Sequence, residues 1–417
     1  MRSIKPSAVK GTVAAPPSKS MTVRAAAAAL LAKGTSTIKN ASLCDDGVAA
    51  FAVAAALGAV VSREGLETLI RSRGIHSRNG ERRAIDCGES GLAMRMFAPI
   101  AALRRGETIL LASGSLRSRP MEMIAALRGL GVSCHSDHGR PPIKVRGPLA
   151  GGATTIDASL SSQFLTGLLM ALPLCPKDSH VRVSGLTSAP YVQMTLGLLR
   201  DFGVTVGHDD RLTDFHVRAN QAYRPSVYTI EGDWSGAAFL LVAGAIGGSV
   251  VVKGLPFPSI QADSAVLEAL RVAGARVTMG SDSVSVERHN LLPFVFDATH
   301  RPDLFPPLVA LAACCEGRST IVGSRRLAHK ESDRANALKE EFARLGITIT
   351  TEEDRMEVFG GTIRGGEVDS HNDHRIAMAC AVAALQAEGK VVVARPESVG
   401  KSYPGFFEDL EVLTEGP

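Results

Sequence analysis

Little in this 417-residue chain could hold a nucleic acid, a metal cluster or a disulfide framework. Aromatic residues make up only 5% of it, too few for a surface that stacks bases. The 46 basic and 42 acidic residues leave a net charge of +4 that is spread along the chain, not gathered into a stripe, so no nucleic-acid partner is expected. Seven cysteines stand scattered at Cys44, Cys87, Cys134, Cys175, Cys314, Cys315 and Cys380, and none forms a C-x-x-C pair. That usage excludes a disulfide scaffold or zinc ribbon and fits a reducing, cytoplasmic compartment.

Other motifs are missing too. There is no G-x-G-x-x-G, no G-x-S-x-G and no H-E-x-x-H. His371 and His374 could share a helix face, but no third ligand is near, so neither a metal nor a cofactor is expected. Gly400-Lys401-Ser402 follows a strand-like run, yet Arg395 stands where a phosphate-cradling P-loop needs its first glycine. The start, Met1 to Pro6, lacks the apolar core of a signal peptide. One uncharged run, Trp234 to Val252, is long enough to span a membrane. It holds Gly236, Gly244, Gly247 and Gly248 and reads as a buried helix, turn and strand, so no membrane partner is expected.

What the chain does have is apolar bulk, at 45%, and enough length for two domains. It also has a repeat. A helical segment closing on apolar-Gly recurs at Gly58, Gly131, Gly203, Gly274 and Gly346, in steps of 73, 72, 71 and 72 residues. Each glycine sits where a helix end needs a positive φ. A second pattern, an Ala/Leu-rich helix, a turn and a β-branched strand, has its turns at Gly34, Gly106, Asp178, Gly248, Gly317 and Gly389. Six copies of one pattern and five of the other leave one unit to be completed by the chain ends. Phe406 to Leu413 supplies its helix, followed by Gly416, and roughly Ile4 to Ala15 supplies its strand. Three units per domain then place one domain at 1–16 plus 232–417 and the other at 17–231.

The six Ala/Leu-rich helices open on polar clusters: Ser18-Lys19-Ser20, Glu89-Ser90-Gly91, Ser161-Ser162-Gln163, Asp233-Trp234-Ser235, Pro302-Asp303-Leu304 and Asn372-Asp373-His374-Arg375. Helix N-termini favour anions. Capping accounts for Ser161, Asp233 and Asp373. It does not account for Lys19, Arg24, Arg95 or Arg375, cations that oppose the helix dipole at about 0.3–1 kcal/mol each. A bound phosphate or carboxylate would offset that cost. Arg117, Arg119, Lys330, Arg334 and Lys401 add further cations in the linking segments.

Pro17-Ser18-Lys19-Ser20 with Arg24, Gly91-Leu92-Ala93-Met94-Arg95, Arg119-Pro120, Ser161-Ser162-Gln163, Lys330-Glu331-Ser332-Asp333-Arg334, Asn372-Asp373-His374-Arg375 and Lys401 resemble, in order and over essentially the whole chain, the EPSP synthase (3-phosphoshikimate 1-carboxyvinyltransferase) family. The resemblance implies a two-domain, inside-out α/β barrel fold with three βαβαββ-like units per domain and the active site in the cleft between them. It implies transfer of the enolpyruvyl group of phosphoenolpyruvate to the 5-hydroxyl of shikimate 3-phosphate, in the shikimate pathway of aromatic amino acid biosynthesis, by a monomer. Lys19, Ser20, Arg24, Ser161, Ser162, Gln163, Ser188, Asp303 and Lys330 are then expected on shikimate 3-phosphate. Lys19, Gly91, Arg95, Arg119, Gln163, Arg334, Arg375 and Lys401 are expected on phosphoenolpyruvate. Proton transfer falls to Asp303, Glu331, Lys330 and His374, with Asp303, read as an isolated acid at a helix start, as base and Glu331 as acid. Glu89, Leu92 and Met96 depart from the family's usual Asn, Thr and Pro around Gly91.

Overall fold

Helices without a polar face can be stable only where every side is covered. Helix Lys19–Leu31 carries an unbroken run from Ala25 to Leu30 with no exposed surface, and helix Trp234–Gly247 is buried at every position but Ser235. Helices Gly91–Ala101, Gln163–Ala171, Phe305–Ala313 and His374–Ala384 are buried in the same way. The sheets lie outside them. Strand Arg140–Gly147 shows why: Ile143 and Val145 are buried while their neighbours alternate outward, the pattern of a sheet with one wet face. These elements are thus arranged inside-out, helices within and sheets around them.

The computed structural model describes residues 1–75 and 81–414; Gly416, expected to follow the last helix, lies outside them. The chain divides into two compact units, Pro17–Ile230 and Met1–Pro16 with Glu231–Pro417. Among the described residues, each contains three small sheets and three of the buried helices. Five sheets have four strands in one order, exemplified by Val295–Asp297, Gly317–Val322, Arg355–Gly360 and Thr348–Glu352. The first pair is parallel, joined in this sheet through the buried helix Phe305–Ala313, and the remaining pairings are antiparallel. The recurring helix-end glycines Gly58, Gly131, Gly203, Gly274 and Gly346 all have φ between +80° and +116°. Strands begin at Gly34, Gly106, Gly248 and Gly317, as the second repeat requires, and the uncharged run is a 14-residue helix followed by strand Gly248–Lys253. No helix among the described residues is long and apolar enough to cross a membrane.

The N-terminal segment departs from expectation. It is two strands, not one. Arg2–Ile4 runs antiparallel to Val391–Ala394 and belongs to the split unit. After Lys5-Pro6, Val9–Ala14 runs parallel to Gly248–Lys253 in a different sheet. Pro6 has no N–H to continue a ladder, which accounts for the break. The chain also exchanges first strands. Val9–Ala14 precedes helix Lys19–Leu31 but pairs with the strand after helix Trp234–Gly247, whereas Val227–Thr229 precedes Trp234–Gly247 but pairs with Gly34–Lys39.

Candidate functional site

In the unit Pro17–Ile230, Ser18 caps helix Lys19–Leu31, its Oγ accepting from Met21 N at 3.5 Å. Lys19 Nζ lies 3.1 Å from Asp46 Oδ2, so the cation that opposes the dipole is already partnered by a carboxylate. Asp46 carried no sequence signal beyond the acidic start of its own helix, Asp45–Ala56. Arg24, in the second turn, is 1% exposed. Its guanidinium donates to Thr195 Oγ1 at 3.0 Å, Ser20 O at 2.9 Å and Tyr191 O at 3.3 Å. It therefore binds its own helix to Ala189–Asp201, and burial brings its pKa down to about 10. Ser188, at the start of that second helix, is held in the left-handed region at φ 63°.

Gly91 opens its helix beneath two guanidiniums. A Cβ there would lie 2.9 Å from Arg119 Nη1 and 3.0 Å from Arg95 Nη1, so any larger residue would push the two guanidiniums aside. Arg95 donates to Gln163 Oε1 at 2.8 Å and to Pro120 O at 3.0 Å, bringing Gln163 to the same place. Ser162, not Ser161, occupies the cap position of helix Gln163–Ala171, though Ser161 Oγ accepts from Gln163 N at 3.2 Å. The two helices meet at Gly167, where an added Cβ would collide with the Met96 carbonyl. Here Lys19 and Arg95, in the opening turns of two helices, and Arg119, which ends the turn Gly114–Ser118, are cations of the kind that binds phosphates and carboxylates at helix N-termini.

In the other unit, five of the singled-out residues converge. Asp303 sits in the short turn Pro302–Leu304 ahead of helix Phe305–Ala313, and it is not isolated. Its Oδ1 is 3.0 Å from Arg334 Nη1 and 3.7 Å from Lys330 Nζ, and its Oδ2 is 3.1 Å from Arg375 Nη2. Arg334, fully buried, also donates to Glu331 Oε2 at 2.7 Å and to Asp373. Asp373 accepts from Ser332 Oγ at 3.1 Å as well and caps helix His374–Ala384 through Arg375 N. His374 Nδ1 lies 3.6 Å from Asp373 Oδ1. Lys401 closes the turn Pro396–Lys401 and is buried.

Charge balance sets the titration of this cluster. Burial alone would raise the Asp303 carboxyl, but Arg375, Lys330 and Arg334 outweigh it and hold it well below the usual carboxylate range. Burial brings the Lys330 ammonium down to about 8, although Asp303 pulls the other way. Asp263, which accepts a short hydrogen bond from Ser235, is pushed up to about 6 by burial and by Asp303. Sequence reasoning missed Asp263, since a lone acid after Gln261-Ala262 looks like any other. His371 is brought not to His374 but to Glu341, whose Oε1 lies 2.7 Å from His371 Nε2, with Glu340 at 3.8 Å. Glu341 also accepts from Asp369 N at 2.8 Å, so hydrogen bonding accounts for the arrangement.

The description EPSP synthase (3-phosphoshikimate 1-carboxyvinyltransferase) belongs to the family model that matches residues 4–410. A 3-phosphoshikimate 1-carboxyvinyltransferase of Thermococcus kodakarensis is 39% identical over 408 residues, covering 98% of each chain. One from Methanocella arvoryzae is 38% identical over 416 residues, again covering 98% of each. Among solved structures, EPSP synthase from Acinetobacter baumannii superimposes with a TM-score of 0.83 at 26% identity, covering 99% of this chain and 98% of that one. The enolpyruvyl transferase NikO from Streptomyces tendae shares the fold, with a TM-score of 0.76 at 18% identity and coverage of 99% and 96%. With its buried helices, its two basic clusters and these relatives, the chain belongs to the EPSP synthase (3-phosphoshikimate 1-carboxyvinyltransferase) family.

Proposed function

We propose that the chain joins the enolpyruvyl group of phosphoenolpyruvate to the 5-hydroxyl of shikimate 3-phosphate and releases phosphate. The observation that carries this reading is the cluster of Asp303, Lys330, Glu331, Arg334 and Arg375, three cations and two carboxylates within a few bond lengths. Addition–elimination needs that mixture. The hydroxyl oxygen bonds to C2 as its proton leaves and C3 gains one; C3 then loses a proton as the C2–O bond to phosphate breaks. Arginine forks suit the carboxylate and phosphate groups, and carboxylates or a near-neutral amine suit the proton steps.

In this reading Asp303 takes the hydroxyl proton and Glu331 protonates the methylene carbon, with Lys330 and His374 assisting. A substrate carboxylate that takes donors from Arg334 and Arg375 loosens their hold on Asp303 and makes it a stronger base. Arg334, Arg375, Lys401, Gly91, Arg95, Arg119, Lys19 and Gln163 receive phosphoenolpyruvate. Lys19, Ser20, Arg24, Ser161, Ser162, Gln163, Ser188, Asp303 and Lys330 receive shikimate 3-phosphate. Seven free cysteines accord with a reducing, cytoplasmic site of action. The monomer that the family resemblance implies is checked by sedimentation.

The test is phosphate release by the purified protein given phosphoenolpyruvate with either shikimate 3-phosphate or UDP-N-acetylglucosamine. Release with the shikimate acceptor alone is expected; release with the nucleotide sugar alone would overturn the acceptor. Asp303→Ala should abolish turnover, and unchanged turnover would remove Asp303 from its role.

A further inference from the structure

Glu89 stands two residues before Gly91, in the turn between strand Arg83–Asp86 and helix Gly91–Ala101. That turn is zipped to the one leaving the neighbouring parallel strand, Gly106–Leu111. Cys87 N donates to Leu111 O at 3.0 Å and Ser113 N donates to Gly88 O at 2.9 Å. The next rung is a side chain. Glu89 Oε2 accepts from Ser115 N at 3.1 Å and from Ser115 Oγ at 3.0 Å. Gly114 makes the contact feasible, with φ +48° and a Cβ position already filled by the Glu89 carboxyl.

From Ser115 the chain makes one tight turn, Gly114–Ser118, and arrives at Arg119. Beyond it, Pro120 O is held by Arg95 Nη2 at 3.0 Å. Arg119 is therefore strapped at both ends, by Glu89 before it and by Arg95 after it, and its guanidinium is delivered over Gly91. We propose that Glu89 is a positioning residue that aims Arg119 at phosphoenolpyruvate by tethering the Gly114–Ser118 turn through Ser115. This rests on the reading of Arg119 as a phosphoenolpyruvate ligand. It gives a physical reason for an acid beside an anion-binding surface: its charge is spent on two donors of the turn.

Two variants and two readouts test it. Glu89→Ala removes the acceptor, whereas Glu89→Gln keeps a carbonyl oxygen for Ser115. Glu89→Ala should raise KM for phosphoenolpyruvate about tenfold, as loss of a charge-assisted hydrogen bond implies, with KM for shikimate 3-phosphate unchanged. Glu89→Gln should stay within about threefold of the parent. Unchanged KM in Glu89→Ala, both KM values rising together, or Glu89→Gln as impaired as Glu89→Ala would each overturn the proposal. Trypsin cleavage after the exposed Arg117 reads the tether without turnover. It should quicken in Glu89→Ala but not in Glu89→Gln, and equal rates would refute the tether. A parent protein that releases no phosphate would instead sink the reading of the reaction, while the cleavage rates still decide whether Glu89 holds the turn.

Discussion

Arg334 and Asp373 form a two-pronged ion pair that solvent does not reach, with Nε 3.0 Å from Oδ2 and Nη2 3.3 Å from Oδ1. The same guanidinium grips Glu331 and Asp303, so one side chain fixes three carboxylates drawn from three segments. Such a hub cannot be removed without stranding buried charge.

Arg334→Ala should accordingly cost about 3–5 kcal/mol of folding stability, in addition to its effect on turnover. Lysine cannot reproduce the fork, so Arg334→Lys should recover little of it. Urea denaturation of the three proteins checks this. A loss below about 1 kcal/mol in Arg334→Ala would mean that the cluster does not depend on the pair.

Lys330, with its ammonium near 8, must lose its charge within the working pH range. The free enzyme then meets anionic substrates with one cation fewer. The kcat/KM profile, which reports the free enzyme, should fall on the alkaline side with a midpoint near 8. Lys330→Arg stays charged and should move that limb upward by at least about one pH unit, whatever it does to kcat. An alkaline limb that does not move in Lys330→Arg would assign it to another group.

Asp263 makes its prediction for stability, not turnover. Its carboxyl titrates near 6 in the folded protein, against about 3.9 in an unfolded chain. Between those values the folded state keeps a proton that the unfolded state has lost, so stability present at low pH is lost as the pH rises through about 6. Asp263→Asn removes the titration and keeps an oxygen for the Ser235 hydroxyl. Relative to the parent it should gain about 1.4 kcal/mol more at pH 8 than at pH 5. Parallel stability curves for the two proteins between those pH values would contradict this.

Much of the fold can be read from local rules. A helix that ends on a left-handed residue followed by a strand needs glycine, and Gly58, Gly131, Gly203, Gly274 and Gly346 obey that need at a near-constant spacing. Helices without a polar face announce their own burial. What stays hidden is long-range pairing. Nothing near Val227 indicates that it lies beside Thr37, or that Val9 lies beside Gly248. The site follows the same division. Repeat symmetry marks the helix starts, and the cations there are the anomaly. Their carboxylate partners, Asp46 for Lys19 and Asp303 for Arg375, are set by tertiary contact, and so Asp303 reads in sequence as a solitary acid when it is held by three cations.

The exchanged first strands have a consequence for the order in which the protein is made. Among the described residues, 17–230 contain every strand of their three sheets, so that unit has these parts once Val227–Thr229 has emerged from the ribosome. Arg2–Ile4 and Val9–Ala14 are synthesised earlier, but their partners, Val391–Ala394 and Gly248–Lys253, come later. The usual vectorial order, in which the N-terminal segment folds first, is inverted here. The earliest strands remain unpaired edges while the middle of the chain folds, and their short length and the Lys5-Pro6 break keep them poor templates for association during that wait.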